Sequence, residues 1–180
     1  MTMTVTRAFT GFVAATLLSA CSSETSIAPR QQPAVGASRA SLVAEANKDL
    51  ATIRAATARY HDLNVALQEG FVLLHPCEVR DEGPVGEVYV HFGRVLDGVI
   101  DPESPDALVY EPGRAGGRPK LVAAEFAILY AMAPQAPQFQ GATFQPEDEF
   151  GVYGLHVWVW RDNPNGMFAE TNPRLSCGTV

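Results

Sequence analysis

The sequence predicts an α+β fold, with one long N-terminal amphipathic helix packed on a curved, mostly antiparallel sheet. Two patterns carry this reading. Between Ser41 and Gln68 apolar residues recur every three or four positions, whereas after Gly70 the chain changes to short β-type runs divided by Gly, Pro, Asn and Asp. No internal repeat interrupts this order.

In the helical stretch Leu42, Ala46, Leu50, Ile53, Thr57, Tyr60 and Leu63 or Ala66 fall on one stripe, suited to covering a sheet. Ser41 is placed to cap its start, and Gly70 can take the left-handed conformation that ends it. The strand runs are Phe71 to Leu74, Glu87 to Phe92, Ala107 to Glu111, Leu121 to Tyr130 and Leu155 to Arg161. Turn signals separate them, among them Asp81-Glu82-Gly83-Pro84, Asp97-Gly98, Gly116-Gly117 and Asn163-Pro164-Asn165-Gly166. The stretch from Pro134 to Glu149, rich in Pro, Gln and Gly, reads as a long surface loop.

The amino terminus carries one charge, Arg7, then a mostly apolar run from Ala8 to Leu18 that is too short to span a bilayer. It ends in Leu18-Ser19-Ala20-Cys21, which resembles the lipobox of bacterial lipoproteins, in which the cysteine is acylated and becomes the first residue. The alternative is an ordinary secretory peptide cut after Ala20, leaving Cys21 free. Residues 1–20 are therefore expected to be a lipoprotein signal peptide, residues 21–38 a flexible tether with acylated Cys21, and residues 39–180 a single α+β domain. More than one acyl chain anchors stably, so the expected partner is a membrane reached through lipid alone. The expected location is the bacterial cell envelope, with Ser22 after the cysteine pointing to the periplasmic face of the outer membrane in a Gram-negative source.

Removing that leader leaves 12 basic and 20 acidic residues, a formal charge of −8, which argues against nucleic acid as a partner. Cys77 and Cys177 remain, and an even count in an oxidising compartment predicts a disulfide. The rival is a thiol metal site shared with His75.

Strand parity sorts the candidate site. Val88, Val90 and Phe92, Leu108 and Tyr110, Val122, Ala124, Phe126 and Ile128, and Leu155, Val157 and Val159 are expected under the helix. The opposite parity collects Glu87, Tyr89, His91, Glu111, Glu125, His156, Trp158 and Trp160, a mixture of charged, aromatic and small residues that suits a partly enclosed pocket. Two histidines with carboxylates are the ligand types for zinc, copper or iron, so His91, His156, Glu111 and Glu125 are candidate metal ligands. Tyr89, Trp158 and Trp160 are the expected walls of a small-ligand pocket, the two tryptophans forming a stacking platform. The competing readings are a structural polar cluster, an interaction lipoprotein docking another envelope protein through the tryptophans, and a hydrolase with His91 or His156 as base. No Gly-x-Ser-x-Gly, phosphate-loop or dinucleotide motif is present.

The run from Leu155 to Phe168, with His156-Val157-Trp158-Val159-Trp160 and Asn163-Pro164-Asn165-Gly166-Met167-Phe168, continues to Asn172-Pro173 and Cys177. It resembles the signature of a group of bacterial secreted proteins and lipoproteins without an established activity. Tyr89-Val90-His91-Phe92, Leu108-Val109-Tyr110-Glu111-Pro112 and Leu121-Val122-Ala123-Ala124-Glu125-Phe126 are similar to that group as well, so the resemblance covers Tyr60 to Cys177. It implies that the His, Glu and Cys positions above belong to the group's pattern. The chain departs from it at Val88-Tyr89-Val90, where relatives carry glycine and methionine before the histidine.

Overall fold

The helical stretch is broken where the chain contains a second start signal. In the computed structural model, which describes residues 39–178, helix α1 spans Arg39–Thr57 and passes through a 3-10 turn at Ala58–His61 before α2 at Leu63–Gln68. The Asp62 side chain accepts from the Asn64 backbone N–H at 3.0 Å, capping α2 as a separate helix. Thr57 Oγ1 donates back to the Ile53 carbonyl at 2.6 Å, a bond that bends helices near their ends. The expectation of one long amphipathic helix is thereby corrected. Only Ile53 and Thr57 of α1 are buried, and Leu42 and Val43 in its first turns face solvent. Gly70 does close the region in the left-handed conformation, at φ 98°. The expected leader, Cys21 and tether lie outside the described residues.

Eight strands follow or intersperse: β1 Val72–Arg80, β2 Gly83–Val90, β3 Ala107–Glu111, β4 Lys120–Leu129, β5 Gln138–Phe139, β6 Ala142–Thr143, β7 Gln145–Glu147 and β8 Val152–Val157. A short helix α3, Phe92–Val95, leaves the end of β2. Six strands form one antiparallel sheet in the order β1-β2-β3-β4-β8-β7, curled into a half-barrel, while β5 and β6 make a separate hairpin. The α+β class and the antiparallel sheet are as the sequence predicts.

Each face of the curl has its own packing. Toward the helices, Tyr60, Ala66 and Phe71 pack with Tyr89, Leu108, Tyr110 and Leu121, and Ile53 packs with Ala124, Phe126, Leu155 and Val157. On the concave face the cluster is built of smaller residues, Val85, Val88, Val90, Val95, Ala107, Ala123, Ala127 and Val152. Residues directly opposed in an antiparallel pair share a face, and Tyr89 is opposed to Leu108 and Val88 to Val109. That register reverses the expected faces of β2. A bulge between Val109 and Tyr110 opposes Tyr110 to Leu121, which moves Leu121 to the helix side and out of the expected pocket face.

Strand β1 runs six residues beyond its expected end at Leu74. Pro76 interrupts the β pattern in sequence but sits on an edge strand, where its missing donor is tolerated. Register shifts after Leu73, His75 and Glu78 bend the strand, and most of it is exposed. Beyond its ladder to β2 it has a covalent tie to the carboxy-terminal segment: Cys77 and Cys177 form a disulfide across a Cα–Cα distance of 5.2 Å, replacing the alternative thiol metal site with His75. The bond closes a loop of 100 residues. Chain entropy assigns such a loop about 4 to 5 kcal/mol of stabilisation. Cys77→Ala with Cys177→Ala should lower the unfolding free energy by about that amount in urea titrations. A loss below about 1 kcal/mol would contradict the entropic account.

Candidate functional site

The concave face encloses a cavity of about 170 Å³. Its inner wall is aliphatic: Val85, Val88, Val90, Ala107, Ala127 and Val152 are all buried. Small side chains on the inside of a curled sheet leave the space that the aromatic residues fill on the opposite face. Phe92 and Leu96 line it and are exposed, so the mouth opens beside α3. Leu74, Leu129 and Phe150 complete the apolar lining.

One end of the cavity is polar, and a cross-strand pair lies at its centre. Glu125 of β4 is directly opposed to His156 of β8, and their Oε2 and Nε2 atoms lie 3.3 Å apart with both residues buried. His156 Nδ1 lies 2.8 Å from the Glu170 carbonyl, which can only accept, so Nδ1 carries a hydrogen. Nε2 then faces the Glu125 carboxylate. Trp158 packs edge-on to the imidazole at 5.7 Å and donates Nε1–H to the Ala169 carbonyl, which holds the ring's orientation. Glu147 of β7 approaches the same point. A Cβ at Gly154 would lie 3.1 Å from Glu125 Oε1 and 3.2 Å from Glu147 Cγ, so the glycine leaves room for two carboxylates side by side. Burial first, and then the Glu125 charge, hold Glu147 above the usual carboxylate range, while Arg80, His156 and His75 oppose this. Arg80, which also lines the cavity, is ion-paired with Glu78 and Glu170.

The four expected metal ligands do not assemble. His91 ends β2 as the cap of α3, its Nδ1 accepting from the Arg94 N–H at 3.3 Å and its ring packed edge-on to Phe71 on the helix side. Glu111 is opposed to Lys120 whereas Glu125 is opposed to Ala107, four positions along β3. At the rise of a strand that is about 13 Å. Glu111 accepts instead from the Ser176 N–H at 3.2 Å. Among the described residues no three His, Cys, Asp or Glu side chains are grouped to hold a metal ion. The expected zinc, copper or iron centre on His91, His156, Glu111 and Glu125 is corrected to a two-residue pair, His156 and Glu125.

The expected ligand walls also divide. Tyr89 packs against Tyr110 at 5.3 Å on the helix side. Trp160 donates Nε1–H to Thr57 Oγ1 at 3.0 Å and packs edge-on to His61, again on the helix side. The tryptophans part because β8 ends at Val157 and a tight turn, Val159 N–H to the Val157 carbonyl at 2.8 Å, resets the parity. Trp158 alone stays with the concave cluster, fully covered, so the two form neither a stacking platform nor an exposed docking face. Glu147, Arg80 and Glu170 were not among the expected site residues, and His75 was expected only beside Cys77 in the alternative metal site. The Gln145-Pro146-Glu147 stretch carries no period-two signal, yet it pairs with β8 as the edge strand.

Comparison with protein-family models, with curated proteins and with solved structures gives no match.

Asp106, at the head of β3, is buried beside this site, accepting from the Ala127 N–H at 2.9 Å through Oδ2 while Oδ1 has no partner. Burial pushes its pKa up to about 7, with the Ala127 N–H pulling it down, Asp97 and Glu125 pushing it up, and Arg94 opposing. A carboxyl with a raised folded pKa favours the fold while protonated. That contribution is full below the unfolded value of 3.8 and is lost as pH rises toward about 7. Asp106→Asn should therefore flatten the decline in unfolding free energy between pH 4 and 7, a difference of up to about 4 kcal/mol. Parallel slopes for wild type and variant in denaturant titrations across that range would show that Asp106 is not the group responsible.

Proposed function

We propose that the protein is a lipid-anchored cell-envelope protein that binds a small, largely apolar ligand in the concave sheet pocket. One observation carries the ligand reading: a cavity of about 170 Å³ lined by aliphatic side chains, closed at one end by a buried Glu–His pair and open at the other beside Phe92 and Leu96. An apolar cavity of about 150 Å³ accommodates a benzene-sized molecule. A mostly apolar concavity with a few convergent polar groups has the anatomy of a ligand site. The anchor reading is supported by Leu18-Ser19-Ala20-Cys21 and by the resemblance of the carboxy-terminal run to a group of secreted proteins and lipoproteins. The oxidised Cys77–Cys177 pair is in keeping with an envelope compartment.

Toluene and hexanol test the pocket. At a concentration about tenfold above Kd, either should stabilise the fold by about 1.4 kcal/mol, a rise of about 5 °C in Tm. Ala127→Phe, which fills the cavity from its floor, should abolish the shift while leaving a cooperative melt. No shift with either probe in the wild-type protein would refute the pocket reading. For the anchor, Cys21→Ser should move the protein from the membrane fraction to the soluble envelope fraction. An unchanged distribution would refute it.

A further inference from the structure

The polar end of the cavity has an imbalance between donors and acceptors. Arg80 Nε is paired with Glu78 and Nη1 with Glu170, and His156 Nδ1 faces the Glu170 carbonyl, while the two carboxylates that face the cavity are less well supplied. Glu125, 8% exposed, has Oε2 buried without an aligned hydrogen bond. Among the described residues no hydrogen bond or ion pair reaches the Glu147 carboxylate, which lies beside Glu125 across Gly154. A buried acceptor without a donor is costly, and two neighbouring carboxylates repel.

A ligand head with several donors and a positive charge relieves both costs at once. A carboxylate or phosphate head would meet the like charge of Glu125 and Glu147. A neutral hydroxyl supplies a single donor and leaves the repulsion in place. Building on the pocket reading of the preceding section, we propose that the site selects an organic cation, a primary amine on a short apolar body, with its ammonium group seated between Glu125 and Glu147 and its tail along Val88, Val90, Ala127 and Val152. The volume admits an apolar body of about six carbons, close to the size of benzene. The pH response follows from the groups that face the ammonium position, namely Glu125 on β4, Glu147 on β7, His156 on β8, His75 and Arg80 on β1, and Glu170 in the carboxy-terminal segment. Protonation of Glu147 removes one of the two attracting charges, so amine affinity decreases as pH falls.

Titration calorimetry of the full-length chain, disulfide intact, with hexylamine, hexanol and hexanoate decides the matter. At pH 8 hexylamine should bind at least about tenfold more tightly than hexanol, the ratio expected of a charge-assisted hydrogen bond, and hexanoate should not bind. Glu125→Gln and Glu147→Gln should each reduce the amine's advantage over hexanol by about tenfold, with a cooperative melt reporting that the fold persists. Glutamine at position 125 can donate its amide N–H to His156 Nε2, which keeps the imidazole in place. Hexanol binding as tightly as hexylamine, or hexanoate preferred over both, overturns the cation assignment and leaves the pocket reading standing. Failure of all three six-carbon probes in the wild-type protein overturns both.

Discussion

Strand β4 is buried on both faces from Leu121 to Ile128, and a charge in its middle constrains what surrounds it. A carboxyl side chain at that depth is costly without a partner, because transfer of an unpaired carboxylate from water costs several kcal/mol. The antiparallel register supplies the partner by placing His156 directly opposite. His156 in turn needs an acceptor for Nδ1 and takes the Glu170 carbonyl, which draws the carboxy-terminal segment over the sheet. The same segment accepts from Trp158 Nε1 through Ala169 and donates from Asn172 to the Pro84 carbonyl of β2. One buried carboxylate is thus linked, through His156 and the carboxy-terminal segment, to β2.

The two faces of the curl differ in the size of their side chains, and this difference makes the pocket. On the helix side Tyr60, Phe71, Tyr110 and Phe126 are fully buried, and Tyr110 donates its hydroxyl to the Tyr60 carbonyl at 2.7 Å. Aromatic residues there fill the volume between sheet and helices to interior density. On the concave face valine and alanine occupy the matching positions, and among the described helices the one that reaches them is the short α3, through Val95. A curled sheet brings inward-facing side chains closer together, so small residues are needed even to keep the space open. The segment beginning at Asn163 caps one end of this space and leaves the other to Phe92 and Leu96.

What could be read from the sequence was the part governed by local periodicity. Strand β3 occupies the expected residues, and the parity of β8 correctly joins His156 to the face opposite Leu155 and Val157. Glu125 and His156 were accordingly singled out, and they meet. The failures share a cause: parity is lost wherever the ladder shifts. The bulge at Val109 displaced Leu121, the turn at Val159 separated Trp160 from Trp158, and the β2 register placed Tyr89 on the helix side. None of these events changes the pattern of apolar residues along a single strand, because they arise from pairing with a neighbour. Helix α2 is a different case. Asp62 followed by Asn64 is a local start signal, and it was outweighed by a helical stripe that continued through it.

Strand β1 shows how a pocket wall can be stiff without being buried. It carries Leu74, His75 and Arg80 into the lining, yet it is an edge strand with three register shifts, a proline and mostly exposed side chains. Its hydrophobic contribution to folding is small, since little of its apolar surface leaves water. What holds it are discrete links: the ladder to β2, the Cys77–Cys177 disulfide, the Arg80–Glu170 ion pair and the stacking of His75 on Phe150. Two of these end on the same carboxy-terminal segment that orients His156 through Glu170. The wall and the buried pair are therefore fastened to one piece of chain, and the position of that segment sets both the width of the cavity and the orientation of its polar end.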